Sequence, residues 1–169
     1  MIHLYTGEGK GKTTAATGLA VRAAGNGMKV IYAQFMKGNE TGEINSLSRL
    51  EGVTILRGEK NYGFYKNMSD DDRRDLTRIH NQMMDEILCL ASDGQVSMII
   101  LDEITHAMKY ALVDESKIES ILKLSGVETV LTGRAPKAWI VDKADYVTEM
   151  KKVKHPFDAG VKARKGIEF

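Results

Sequence analysis

The chain has 169 residues, 43% of them apolar and 28% charged, with a formal charge of +1 and one cysteine. That length can bury a core without disulfide or metal staples but leaves little room for two domains, so one domain spanning 1–169 is expected. The composition excludes a disordered or collagen-like chain, no apolar run is long enough to cross a bilayer, and the near-neutral balance gives no reason to expect nucleic acid as a partner.

In chain order, Ile2 to Tyr5 reads as a first strand with none of the zones of a secretory signal before it, so a cytoplasmic location is expected. A glycine-rich turn leads into an alanine-rich helix over Thr13 to Asn26, closed by Gly27. Lys29 to Met36 is a second strand, Glu43 to Leu50 a helix, and Val53 to Leu56 a third strand. Arg57 to Asn67 carries no clear element, and loops of that length in compact domains are usually functional. Ser69 followed by Asp70, Asp71 and Asp72 starts a long helix, because the serine caps free N–H groups and the acids suit the positive end of the dipole. Its buried stripe is read as Leu76, Ile79, Met83, Ile87 and Leu90, with Cys89 as a small core residue.

Val96 to Leu101 is a continuous apolar run, as in a strand covered on both faces. Further strands are expected over Thr129 to Thr132 and Tyr146 to Val153, with helices near Glu115 to Leu124 and Pro136 to Lys143. The alternation predicts an α/β fold: a mostly parallel sheet of about six strands with helices on both faces. The stretch 151–169 holds six Lys or Arg against Asp158 and Glu168. With little aromatic interleaving, this basic tail reads as a solvated face or a contact for a small anion.

Thr6-Gly7-Glu8-Gly9-Lys10-Gly11-Lys12-Thr13-Thr14 joins the first strand to the first helix, where an anion-binding loop belongs. Glycines 7, 9 and 11 let backbone N–H groups turn inward, Lys12 adds charge, and Thr13 can ligate Mg²⁺. The pattern is that of a P-loop, with one departure: Thr6 stands where the general motif has glycine, so the attacked phosphate need not be the terminal one. Asp102 and Glu103 end the fourth strand, and in an open parallel sheet that end faces the ligand crevice, so both are candidates for Mg²⁺. Arg134 and Lys37 follow two other strands and are placed to reach phosphate oxygens. The four histidines show no metal-ligand spacing.

These residues resemble the ATP:corrinoid adenosyltransferases of the P-loop type over nearly the whole chain. The carriers are TGEGKGKTTAA at 6–16, QFMKG at 34–38 with GEIN at 42–45, LDEITHAMKY at 101–110, LTGR at 131–134, and above all VKHPFDAGVKARKGIEF at 153–169. The resemblance implies a P-loop fold, a homodimer, ATP with Mg²⁺ and a corrinoid (cobalamin or a precursor) as reactants, and transfer of the 5′-deoxyadenosyl group to Co(I) with release of triphosphate. It also implies a transient flavoprotein reductase or flavodoxin as electron donor. By position, Gly7, Glu8, Gly9, Lys10, Gly11, Lys12, Thr13 and Thr14 would cradle the phosphates, Thr13 and Glu103 with Asp102 would hold Mg²⁺, and Lys37 and Arg134 would lie near the nucleotide. Similar proteins bind ATP reversed relative to ordinary P-loop enzymes, in keeping with Thr6.

Co(I) is so strong a nucleophile that no side-chain base is required, and the protein's tasks are to align C5′ with cobalt and to stabilise the departing triphosphate. Phe64, in the long loop with Tyr62 and Tyr65 beside it, matches the aromatic segment thought to strip cobalt of its lower ligand; its alternative role is an anchor pinning the loop to the core. Where some relatives carry tryptophan, this chain has Lys66, and where some have a segment before the first strand that covers the corrinoid, this chain begins at the strand. The cover would then come from the partner subunit or the C-terminal tail, or the site would be more open. The rival reading is an ordinary P-loop ATPase or small-molecule kinase, with ADP as product, and a further one is a carrier or sensor without turnover.

Overall fold

Period-two alternation along the strands divides the apolar residues between two cores, one on each side of a single sheet. In the computed structural model, which describes residues 1–39 and 41–168, the strands are β1 (Ile2–Thr6), β2 (Val30–Gln34), β3 (Val53–Arg57), β4 (Met98–Asp102), β5 (Glu128–Thr132) and β6 (Tyr146–Glu149). They pair in the order β3-β2-β4-β5-β1-β6, every pair parallel. Val30, Tyr32, Met98, Ile100 and Val130 face one side, under helices α1 (Lys12–Gly25) and α2 (Gly42–Leu47). Leu4, Ile31, Ala33, Ile99, Leu101 and Leu131 face the other, under α3 (Asp70–Ala91), α4 (Ile104–Lys109), α5 (Glu115–Leu122) and α6 (Ala138–Lys143). The expected parallel sheet with helices on both faces is what the chain forms.

Ala16, Ala20 and Ala23 form the buried seam of α1, and their small side chains let that helix lie close across β1, β5, β4 and β2. The start of α3 is a capping box: the Ser69 hydroxyl accepts from the Asp72 N–H while the Asp72 carboxylate accepts from the Ser69 N–H. Two expectations along α3 are corrected. Its buried face comprises Leu76, His80, Met83, Met84, Ile87 and Ala91, whereas Leu90 and Cys89 are exposed. A histidine and an alanine occupy the positions that a reading by hydropathy gives to Ile79 and Leu90, and the polar label of His80 hid its place in the stripe.

Because all strands run the same way, every loop after a strand opens on one rim of the sheet. The β1→α1 connection leaps over β5 and β4 to reach β2, creating the switch point at which ligands of open α/β sheets bind. Among the described residues no helix is long and apolar enough to cross a membrane.

Candidate active site

The loop after β1 is built by backbone geometry. Gly7 and Gly11 take φ values of 99° and 122°, outside the reach of ordinary side chains. Gly9 is required for a different reason: a Cβ there would lie 2.6 Å from the Met150 carbonyl oxygen. The strand that follows α6 runs beside β1, and beyond it Met150 closes over the loop, its N–H donating to the Thr6 carbonyl (2.8 Å) and its carbonyl accepting from the Gly9 N–H (2.6 Å).

Lys12 is almost fully buried, and its ammonium donates to the carbonyls of Gly7 (2.7 Å) and Gly9 (2.8 Å). Burial lowers its pKa and the Arg134 charge adds to the effect, while Glu103, Glu8 and Asp102 oppose it. The loop forms the floor of a cleft of about 470 Å³ to which Lys10, Thr13 and Thr14 contribute, with Lys37, Glu103 and Arg134 on its walls. Glu8 and Arg134 pair across the mouth at 2.8 Å, and both side chains are largely exposed.

Asp102 is the hub beneath this cleft. Wholly buried, it accepts from the hydroxyls of Thr13 (2.9 Å) and Thr132 (2.7 Å) through Oδ1, and from the Lys37 ammonium (3.1 Å) through Oδ2. The carboxylate therefore ties together the ends of β2, β4 and β5 and the first turn of α1. Glu103 follows in the left-handed region, at φ 61°, with its N–H held by the Thr132 hydroxyl at 2.9 Å. That turn aims its carboxylate into the cleft. Burial alone would raise its pKa, but His106, Lys37 and Lys12 together hold it below the usual glutamate value, so it is ionised at neutral pH.

Lys37 owes its position to a residue that sequence reasoning missed. Met36 is also left-handed, at φ 61°, and its N–H is 3.2 Å from His80 Nε2, while His80 Nδ1 is 3.1 Å from the Leu112 carbonyl. A carbonyl can only accept, so the proton sits on Nδ1 and Nε2 receives the Met36 N–H. Burial lowers the His80 pKa to about 4, which keeps the ring neutral and the bond intact.

Phe64 is not brought into the cleft. It is 83% exposed, which rules out the anchoring role; that falls to its neighbours. Tyr65 stacks on Tyr110 with ring centroids 3.8 Å apart, and the Tyr62 hydroxyl donates to Asp75 at 2.5 Å. The loop bearing Phe64 abuts the loop bearing Lys37, because the Lys60–Asn61 backbone passes directly over Gly38. The C-terminal tail, read as solvated or anion-contacting, bends back so that His155 and residues 166–168 line the cleft.

Among the described residues no group of three or more His, Cys, Asp or Glu could hold a metal by itself. The Thr13 hydroxyl and the Glu103 carboxylate are hard oxygen donors lining the same cleft. That suits Mg²⁺, which usually takes one or two protein oxygens and completes its octahedron with phosphates and water.

Residues 1–169 match the family described as ATP:corrinoid adenosyltransferase BtuR/CobO/CobP. The chain is similar to a corrinoid adenosyltransferase of Sinorhizobium sp., 35% identical over 173 residues covering 100% of this chain and 80% of the relative. It is also similar to one of Escherichia coli K12, 34% identical over 171 residues covering 100% of this chain and 85% of the relative. In fold it resembles the KaiC-like protein PH0186 of Pyrococcus horikoshii OT3, with a TM-score of 0.51 at 20% identity over 89% of this chain and 70% of that one.

Proposed function

The chain belongs to the ATP:corrinoid adenosyltransferase family and transfers the adenosyl group of ATP to a corrinoid; from that premise we propose that the loop Gly7 to Thr14 holds the polyphosphate as the leaving group. The observation that carries this is the convergence of Lys12, the tightly turned glycine backbone and the Asp102-anchored Thr13 on one cleft floor. Cobalt(I) gives its electron pair to C5′, the C5′–O5′ bond breaks, and that pair leaves on triphosphate. Charge therefore grows on the phosphate chain, where Lys12 and the helix N-terminus behind it would offset it. Lys12 would exchange its loop carbonyls for phosphate oxygens, Lys37 and Arg134 would offset further charge, and Glu8 would steady Arg134.

Thr13 and Glu103 would hold Mg²⁺, with Asp102 acting through Thr13 because both its oxygens already accept hydrogen bonds. Bound there, Mg²⁺ would neutralise charge on the departing triphosphate. Phe64, bare on a braced loop, supports a contact with the corrinoid rather than with ATP. On this reading residues 1–169 act as a single P-loop domain with a basic tail, as a homodimer in the cytoplasm, with a flavoprotein reductase or flavodoxin supplying the electron.

The test is anaerobic incubation with chemically reduced Co(I) corrinoid and MgATP. Triphosphate and a light-sensitive organocobalt product are expected; ADP and phosphate without that product would return the chain to the ATPase or kinase reading. Lys12→Ala should abolish product from either starting oxidation state. Phe64→Ala should impair reactions started from Co(II) far more than those started from Co(I), and equal losses would remove its role.

A further inference from the structure

The cleft floor and walls described so far are charged, hydroxyl-bearing or made of backbone. A triphosphate is well served by them, but the purine of ATP presents two flat faces whose burial calls for a ring or an aliphatic surface. Among the described residues lining the cleft, His155 is the one ring and Ile167 the one large aliphatic side chain, and both lie in the C-terminal tail. Ile167 is 54% exposed, an apolar group on a cleft rim with space beside it.

We infer that His155 and Ile167 form the wall against which the adenine of ATP packs, so that the tail recognises the nucleoside while the loop after β1 holds the phosphates. The local structure suits that task. His155 caps a short 3₁₀ turn, Pro156–Ala159, with Nδ1 accepting from the Phe157 N–H at 3.2 Å. That bond fixes the ring's orientation before any ligand arrives and turns Nε2 outward. Ile167 lies within a turn clamped by Glu168, whose carboxylate accepts from the Arg164 N–H (2.8 Å) and guanidinium (3.1 Å). The tail leaves the loop at Met150, whose carbonyl accepts from the Gly9 N–H, so it starts beside the floor.

This inference rests on the loop holding the polyphosphate, and inorganic tripolyphosphate separates the two readings because it has phosphates and no base. Binding of MgATP and of magnesium tripolyphosphate is measured by calorimetry on the full chain. His155→Asn keeps an acceptor for the Phe157 N–H and deletes the ring; Ile167→Ala removes the aliphatic surface. In the double variant the ATP dissociation constant should rise roughly tenfold or more, with tripolyphosphate changing less than about twofold and the preference for ATP over UTP narrowing. Unchanged ATP affinity, or an equal loss for both ligands, overturns the wall. Lys12→Ala should weaken both ligands; if it leaves tripolyphosphate binding intact, the phosphate reading falls and takes this one with it.

Discussion

Acid should strip stability from this protein through His80 before it reaches the bulk of the carboxylates. The ring is 2% exposed and sits between the Met36 N–H and the Leu112 carbonyl, and its pKa falls from the ordinary 6.5 to about 4 because burial disfavours the charged form. Between those values the unfolded chain binds a proton that the folded chain refuses, so unfolding free energy rises with pH across the window. The contribution is whole above pH 6.5 and is lost as pH falls towards 4. Each pKa unit corresponds to about 1.36 kcal/mol, so the full loss is on the order of 3 kcal/mol, a large share of the roughly 5–15 kcal/mol that holds a domain together. Urea unfolding at a series of pH values from 7 to 4.5 would be compared between the wild type and His80→Gln, which has both a donor and an acceptor but does not titrate. The variant should be less stable at pH 7 and show a shallower fall, the two curves converging by about 2 kcal/mol towards pH 4.5. Parallel curves would mean that His80 is not the group responsible and that the neutral ring is not what holds Met36.

Other consequences are open to simpler measurements. Gly9→Ala, which drives a methyl group into the Met150 carbonyl, should lower kcat/KM for ATP at least about tenfold with little change in the corrinoid KM, read from steady-state kinetics. Ile87→Ala should cost about 2–5 kcal/mol and Leu90→Ser less than about 0.5 kcal/mol by urea denaturation, since only the first is buried. Cys89 should react with a thiol reagent in the native protein at a rate close to that in urea, its side chain being exposed.

The strands, the glycine-rich turn after β1 and the start of α3 were readable because each announces itself within a few residues: apolar runs for β2 and β4, glycines and Lys12 for the turn, Ser69 with Asp72 for the cap. Glu103 and Lys37 were found by their place at strand ends, but not the left-handed turns that aim them. Those depend on Thr132 and His80, distant in sequence and carrying no local signal. A histidine on an amphipathic helix says nothing of whether its partners are water or a backbone amide far along the chain. The same holds for the tail: its basic composition pointed outward to solvent or a small anion, whereas its course is set by β6 pairing with β1 and bringing Met150 onto Gly9. The stacked Tyr65 and Tyr110 likewise required α4, a short helix that no periodicity betrayed.

The union of Gly9 with Met150 also imposes an order on biogenesis. The glycines are made directly after the first strand, yet the segment that roofs them follows every strand of the sheet. A nascent chain thus displays the loop without its cover, and long-range closure of this kind is slow because the intervening polypeptide must first lose its freedom. Because the Gly9 N–H meets the Met150 carbonyl only when β6 has paired with β1, the loop gains its final geometry at that late step.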